Sequence, residues 1–259
     1  LFPLALVVVR EKKLQLVEDR YPLQFGKIMS SNLFPSRWSP QHPEQIQLYS
    51  LATPNGQKVG VMLEEIGLPY EAHKIDITAG DQFDEEYKKI NPNSKIPSLI
   101  DPNGPDGKPI TFMESGAILL YLAKKTNQFL PNDPHLEWET IQWLFFQMAS
   151  VGPMFGQFGH FYKFARDQTT DDYGVNRYTN ETKRLLGVLN QRLEGRQYLV
   201  GEQYSIADIA TFPWINALDF YEGKDQLEYH SFRNIQPWVD RCMERPAVQR
   251  GIKVCGFDS

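Results

Sequence analysis

Cysteine is nearly absent. The 259 residues hold two, Cys242 and Cys255, both near the C-terminus and in no C-x-x-C pair. That excludes a disulfide framework and a thiolate zinc site, and two sparse thiols suit a reducing, cytoplasmic setting. The five histidines show no H-E-x-x-H or other ligand spacing, so no metal ion is expected. An excess of basic charge is also missing: 27 Lys and Arg stand against 32 Asp and Glu, a net charge of −5. A nucleic-acid partner would want a basic face. No apolar run approaches the roughly 18 residues of a membrane span. The apolar opening "LFPLALVVV" has the length of a signal-peptide core, yet no basic region precedes it and no small-residue cleavage site follows. An upstream extension is expected instead, with Met29 serving as an ordinary start.

What is present is the material of a globular core, 41% hydrophobic and 13% aromatic. Residues 30–43, with three prolines and four serines, read as a loop or ordered arm. "IQLYSL" then alternates as a half-buried strand does. After the turn "TPNG", Val59, Met62, Leu63 and Ile66 define one face of a helix over 57–66, which Gly67 can end. "PYEAHKIDI" supplies a second strand, parallel to the first. The charged segment 81–92 is a short helix or a loop. "PSLID" and "PITFM" flank a turn-rich connection and predict a hairpin, and "ESGAILLYLAKKTN" predicts an apolar helix with lysines at its negative end. Beyond the linker "QFLPNDPHLE" only helical spacing recurs: Ile141, Leu144, Phe145 and Met148, then Tyr178, Leu185, Leu189 and Leu193, then "SIADIATFPWINAL" and "QPWVDRCMERPAVQRGIK". An α/β domain followed by an all-α domain is expected.

Four places stand out along the chain. Ile96-Pro97 opens the third strand, where proline is tolerated. In this β-α-β, β-β-α order a thioredoxin-like fold keeps a cis-proline there, leaving the Ile96 backbone free to pair with an extended ligand. Glu114 and Ser115 precede a long helix; they form either a simple cap or an anion site in which backbone N–H groups and the Ser115 hydroxyl hold a carboxylate while Glu114 receives an ammonium. Ser205 with Asp208 is a capping box, a folding element. "FGQFGHFYKF" packs five aromatics into residues 155–164 and reads as core or pocket.

Taken together, "PNSKIP", "ESGAILLYLA", "SIAD" and "RPAVQR" make residues 45–250 resemble the cytosolic glutathione transferases. "TPNGQKV", "GDQF", "NPNSKIP", "WLFFQ", "GPMFGQFGHF" and "VNRYTNE" bring the chain nearest to the Nu-class bacterial enzymes and the yeast nitrogen-regulator (Ure2-like) proteins. The resemblance implies an arm over 1–44, a thioredoxin-like domain over 45–128, a linker over 129–136 and a helical domain over 137–259. It also implies a cytoplasmic homodimer that binds glutathione and no metal. Ile96 would pair with the cysteinyl part, and Glu114 with Ser115 would hold the γ-glutamyl end. Gln82 would contact the glutathione backbone and Arg177 a carboxylate, with Lys95 a weaker contact to the glycyl end. Thr53 and Asn55 would face the sulfur.

By itself "TPNG" reads as a structural corner. Within the family it is the reactive turn, and the cysteine that thioredoxin-like proteins carry there is replaced by Thr53-Pro54-Asn55. Thiol–disulfide exchange needs a thiolate, so the reactive sulfur is expected on bound glutathione, tuned by the Thr53 hydroxyl and by donors around Asn55. The expected activity is reduction of small disulfides, with organic hydroperoxides as a related substrate. Conjugation of electrophiles and a non-catalytic regulatory role stay open as alternatives.

Overall fold

The computed structural model describes residues 33–168 and 170–257. The apolar opening, the Met29 start and the first 32 residues of the expected arm lie outside them. Residues 33–39 hold one 3-10 turn, Ser36–Trp38, closed by the Trp38 N–H on the Pro35 carbonyl at 3.1 Å. The fold below concerns the compact unit that begins at Pro40.

Strand β1 (Ile46–Ser50) runs into helix α1 (Pro54–Ile66), which ends on Gly67 at φ +67°, its N–H on the Leu63 carbonyl. Glycine accepts this left-handed conformation without Cβ strain. Strand β2 (Tyr70–Lys74) returns parallel to β1, with Ile46 opposite Tyr70 and Ser50 opposite Lys74. A 3-10 turn at Asp81–Phe83 and the short helix α2 (Glu85–Ile90) show that segment 81–92 is helical in two pieces. Strands β3 (Ser98–Asp101) and β4 (Ile110–Met113) form the expected antiparallel hairpin.

The sheet order is β2-β1-β3-β4. This placement corrects the reading of β1 as half-buried. It is an inner strand, and all five of its residues are buried. Its alternating Gln47 is tolerated inside because its amide donates to the His42 and Gln45 carbonyls at 2.8 and 2.9 Å while its carbonyl meets His73 Nε2 at 2.8 Å.

Helix α3 (Ser115–Thr126) packs on α1, and from there on the described residues hold helices and turns alone. They are α4 (Pro134–Phe146), α5 (Gly152–Gly159), α6 (Tyr173–Arg192), α7 (Ile206–Phe220), α8 (Ile235–Met243) and α9 (Pro246–Gly251). Widened π turns at Gln147–Val151 and His160–Phe164 bracket α5. This is a thioredoxin-like sheet with an all-helical second part, the expected fold class.

The two parts are joined tightly. Helix α9 lies against α1, where a Cβ on Gly60 would come within 2.5 Å of the Gly251 carbonyl oxygen. Arg245 grips Glu65 through two bonds of 2.6 and 2.9 Å, and Arg250 reaches Glu64 at 2.6 Å. Along α4, Leu144 is buried, but Phe145 is 63% exposed, contrary to the single apolar face expected for this stretch. The apolar stripe there is wider than the core it covers.

Candidate functional site

The turn after β1 is built by helix-start chemistry. Helix α1 begins at Pro54, three residues earlier than its apolar face predicts, because Pro at the first position is already set for helical φ and has no N–H to lose. Thr53 is the N-cap, and its Oγ1 accepts from the Gly56 N–H at a long 3.4 Å. The hydroxyl proton is therefore still available to a ligand. Gly56 is needed for close packing rather than for backbone freedom. It is an ordinary helical residue, and a Cβ there would sit 1.8 Å from the Leu51 carbonyl oxygen. Only glycine lets the helix start press against the strand end.

Asn55 leads to a group that sequence reasoning missed. Its Oδ1 accepts from Lys58 Nζ at 2.8 Å and from the Trp214 indole N–H at 3.2 Å. Lys58 is fully buried. Its ammonium also donates to Gln147 Oε1 at 2.7 Å and to Ser115 Oγ at 3.2 Å, with Met148 Sδ at 3.7 Å. A lysine inside a helix reads as a solvated residue by default. The available signal was positional: Asn55, Lys58 and Met62 fall three and four apart on one face. Gln147 arrives through the π turn that follows α4, a kind of widening frequent at functional sites.

The remaining expected residues fall into three groups. Glu114 is exposed and holds φ +69°, a conformation that costs a non-glycine residue about 1–3 kcal/mol and tends to persist at functional sites. Ser115 is buried and turned inward on Lys58 and Met148, so its hydroxyl faces the lysine. What the start of α3 offers outward is its unpaired N–H groups. The Ile96-Pro97 bond is cis, and among the described residues no backbone bond takes the Ile96 N–H or carbonyl. Gln82 donates to the Ile77 carbonyl at 3.3 Å, while its Oε1 is shielded from water without a partner. A buried acceptor left open is what a ligand N–H would complete. Lys95 is exposed. Arg177 is exposed on α6 and is not gathered with these groups: it lines neither cavity described next.

Two cavities meet at Asn55 and Trp214. One, about 350 Å³, is polar-rimmed by Lys58, Glu114, Gln147 and Gln157. The other, about 780 Å³, starts at Thr53 and Asn55 and runs between Ile77, Trp214, Phe220, Tyr221 and Phe257, with no charged side chain in its lining. The aromatic run 155–164 divides between core and pocket. Phe155 and Phe158 are core, while Phe164 is 56% exposed and lines the apolar cavity. An extended polar ligand with one reactive atom at Asn55 and an apolar second reactant beyond it fits this pair of spaces. Among the described residues no group of three or more His, Cys, Asp or Glu could hold a metal ion, and no helix is long and apolar enough to cross a membrane.

Electrostatics separate the lysine from the cysteines. Burial pushes the Lys58 ammonium down to about 7, opposed by the nearby Glu114 carboxylate. Its folded value thus lies below the ordinary 10.5. The unfolded chain therefore binds more protons between these values, and stability rises with pH across that window. Against Lys58→Met, the native protein is expected to gain stability from pH 7 to pH 10, read as the shift in urea midpoint between the two proteins at each pH. A difference flat across the window would show that the ammonium is not held down. Cys242 is buried and its thiol is raised well above the usual range, by desolvation and then by Asp208. Burial raises Cys255 to about 11. Neither is a thiolate near neutral pH.

Residues 52–125 match the family profile of the glutathione S-transferase N-terminal domain and residues 143–246 that of the C-terminal domain. The chain is 44% identical over 220 residues to the disulfide-bond oxidoreductase YghU of Escherichia coli, spanning 82% of this chain and 74% of that one. It is 43% identical over 208 residues to the disulfide-bond oxidoreductase YfcG of the same organism, spanning 80% and 94%. A glutathione transferase from Pseudomonas putida, solved with one glutathione disulfide bound per subunit, superposes with a TM-score of 0.82 at 51% identity over 84% of this chain and 95% of that one.

Proposed function

This chain belongs to the glutathione S-transferase family, and from that premise we propose that it is a glutathione-dependent disulfide-bond oxidoreductase that uses the thiol of bound glutathione in place of a protein cysteine. The observation that carries the reading is the composition of the reactive turn. Its own side chains offer donors, the Thr53 hydroxyl and the Asn55 amide, and no thiol; Cys255, whose carbonyl takes the Ala52 N–H at 2.9 Å behind the turn, is held protonated by burial, as is Cys242. Glutathione supplies the missing thiol: two molecules reduce one disulfide to two thiols and leave as glutathione disulfide.

The chain's own groups do the rest. Ile96 offers a free backbone N–H and carbonyl for strand-like pairing, Gln82 an open acceptor, and Glu114 with the start of α3 an ammonium and a carboxylate site. Ser115 backs the site through Lys58. Arg177, exposed on α6, is free to meet a carboxylate. The apolar cavity receives the other half of the disulfide and keeps water from the sulfur. The enzyme acts in the reducing cytoplasm as a homodimer, with the domain limits 45–128 and 137–259 joined by the linker 129–136. Support for the dimer comes from Trp138 and Phe145, one heptad apart on α4 and 64% and 63% exposed. A sedimentation mass of a single chain would refute it.

Turnover with glutathione is to be measured on a small disulfide, an organic hydroperoxide and an aryl halide. Robust disulfide turnover is expected, and a protein active on the aryl halide alone would refute the proposal. The protein with both Cys242→Ser and Cys255→Ser is expected to keep its rate within about twofold, since neither thiol is ionised at neutral pH. Abolished turnover in that variant would return the reactive sulfur to the protein.

A further inference from the structure

Lys58 enters the assignment just made only as the group behind Ser115, yet it occupies a costly position. A buried ammonium is tolerated only where several acceptors surround it. Here Asn55, Ser115 and Gln147 present one oxygen each, from α1, the start of α3 and the π turn after α4. A methionine or leucine would fill the same space without that demand, so the charge and its donors call for an explanation.

The explanation lies in what the lysine does to Asn55. An asparagine amide is two-faced: one end accepts, the other donates, and a half-turn about its last bond exchanges them. Lys58 Nζ and Trp214 Nε1 both lie within hydrogen-bond reach of the same Asn55 atom, at 2.8 and 3.2 Å. The indole N–H can only donate, and so can the lysine in its ammonium form, so the indole alone fixes the identity of the atom it meets. The atom between them must therefore be the carbonyl oxygen, and both its lone pairs are used. The amide NH₂ then takes the remaining direction, and among the described residues it makes no hydrogen bond. Asn55 borders both cavities at the point where they meet.

We infer that Lys58 and the Trp214 indole are positioning residues that lock the Asn55 amide with its NH₂ presented to the sulfur of bound glutathione, an inference that rests on the function proposed above. Without the lock, the amide can turn its oxygen toward the sulfur. That end repels a thiolate, whereas the NH₂ end donates to it. Preorganised donors are effective because nothing needs to reorient when charge develops. Gln147 and Ser115 serve this arrangement at one remove, by fixing the ammonium. Gln147 Nε2 is left buried and unpartnered in the process, which marks the contact to Lys58 as the one its orientation favours.

The test uses Lys58→Met, Trp214→Phe and Asn55→Ala in the full chain, with the two former also combined with Asn55→Ala. Trp214→Phe keeps an aromatic side chain while removing the indole N–H together with its five-membered ring, and it leaves the buried lysine in place, so it carries the test if Lys58→Met does not fold. Three quantities are read: glutathione affinity by calorimetry, the pH midpoint of the 240 nm thiolate absorbance of bound glutathione, and kcat on a small disulfide. Lys58→Met and Trp214→Phe are each expected to raise the thiolate midpoint by roughly 0.5–1 pH unit, the size of one weakened hydrogen bond. Each should lower kcat about tenfold, short of the loss from deleting a direct donor, with affinity changed less than about threefold. In the Asn55→Ala background the further effect on both quantities should fall below about twofold, because the group being positioned is gone.

An unchanged thiolate midpoint, or an equal loss with Asn55 already removed, would overturn the inference and leave Lys58 a structural cross-link. The absorbance titration needs no second substrate. It therefore decides the matter even if disulfides prove not to be reduced, an outcome that would sink the proposed activity alone. A native protein that binds no glutathione would overturn both.

Discussion

Asn55→Ala is expected to lower kcat for disulfide reduction by about 10²–10³, the usual cost of losing a donor aimed at a reacting charge, while glutathione affinity stays within about threefold. The split follows from where the groups sit. In the function proposed above, tripeptide binding falls to Ile96, Gln82, Glu114 and the start of α3, none of which touches the Asn55 side chain. Asn55 offers one NH₂ at the meeting of two cavities, and its removal leaves binding intact but takes the preorganised amide donor from the sulfur. Thr53→Ala, measured beside it, should lose less, about tenfold, because the start of α1 still presents its N–H groups. Its cap to Gly56 is long at 3.4 Å, so the accompanying stability loss belongs at the low end of the about 0.5–2 kcal/mol typical of such caps. Equal losses in kcat and affinity for Asn55→Ala would make it a mere binding residue and remove the basis for a glutathione thiolate tuned by this turn.

Much of this was legible from the chain because it rests on short-range chemistry. Pro54 at a helix start, Gly67 at a helix end, the hairpin around residues 102–109 and the Ser205–Asp208 box are each set by neighbours within a few positions. The sheet burial was not. Whether "IQLYS" has one wet face depends on whether the strand is inner or edge, and that is decided by β3 arriving more than 40 residues later. The reason for Gly56 was likewise hidden. The sequence shows a glycine in a turn, while the structure shows a carbonyl where its Cβ would be.

The site divides along the same line. Thr53, Asn55, Ile96, Glu114 and Ser115 stand in recognisable local motifs. Lys58 does not, because its role is made by partners 57, 89 and 90 residues away in sequence. A buried lysine becomes visible only when its acceptors are assembled around it. The indole of Trp214 lies 159 residues from Asn55 and inside an apolar helix, where an aromatic reads as core. It is core, at 8% exposure, and it also supplies the donor that closes the second lone pair of Asn55. A packing residue and a positioning residue are the same side chain here.

Asp208→Ala is expected to be the most destabilising of the substitutions considered, by about 4 kcal/mol, out of the about 5–15 kcal/mol that holds an ordinary domain folded. Asp208 is fully buried, and its two oxygens accept four hydrogen bonds. The Leu199 N–H and Trp238 indole N–H meet Oδ1 at 2.9 Å, and the Ser205 N–H and hydroxyl meet Oδ2 at 3.0 Å. Those donors come from the loop before α7, its cap and α8, so one carboxylate ties three segments of the helical part. Alanine leaves three N–H groups buried and unpaired, each costing about 1–3 kcal/mol when nothing replaces the acceptor, with relaxation keeping the sum below the simple total. For roughly 220 folded residues this is a fall in Tm of about 8–16 °C. Burial raises the Asp208 pKa despite the four donors that pull it down. The donors therefore do not fully offset the desolvation of the charge. Asp208→Asn keeps the shape and one acceptor oxygen, which can still serve the Leu199 and Trp238 N–H groups, but sets its NH₂ against the Ser205 N–H, so it should lose less than alanine without restoring the native stability. Adding Trp238→Phe to Asp208→Ala should cost less than Trp238→Phe alone, since the orphaned indole N–H goes with it. Additive losses in that cycle would show that water has reached the site and taken over the carboxylate's role.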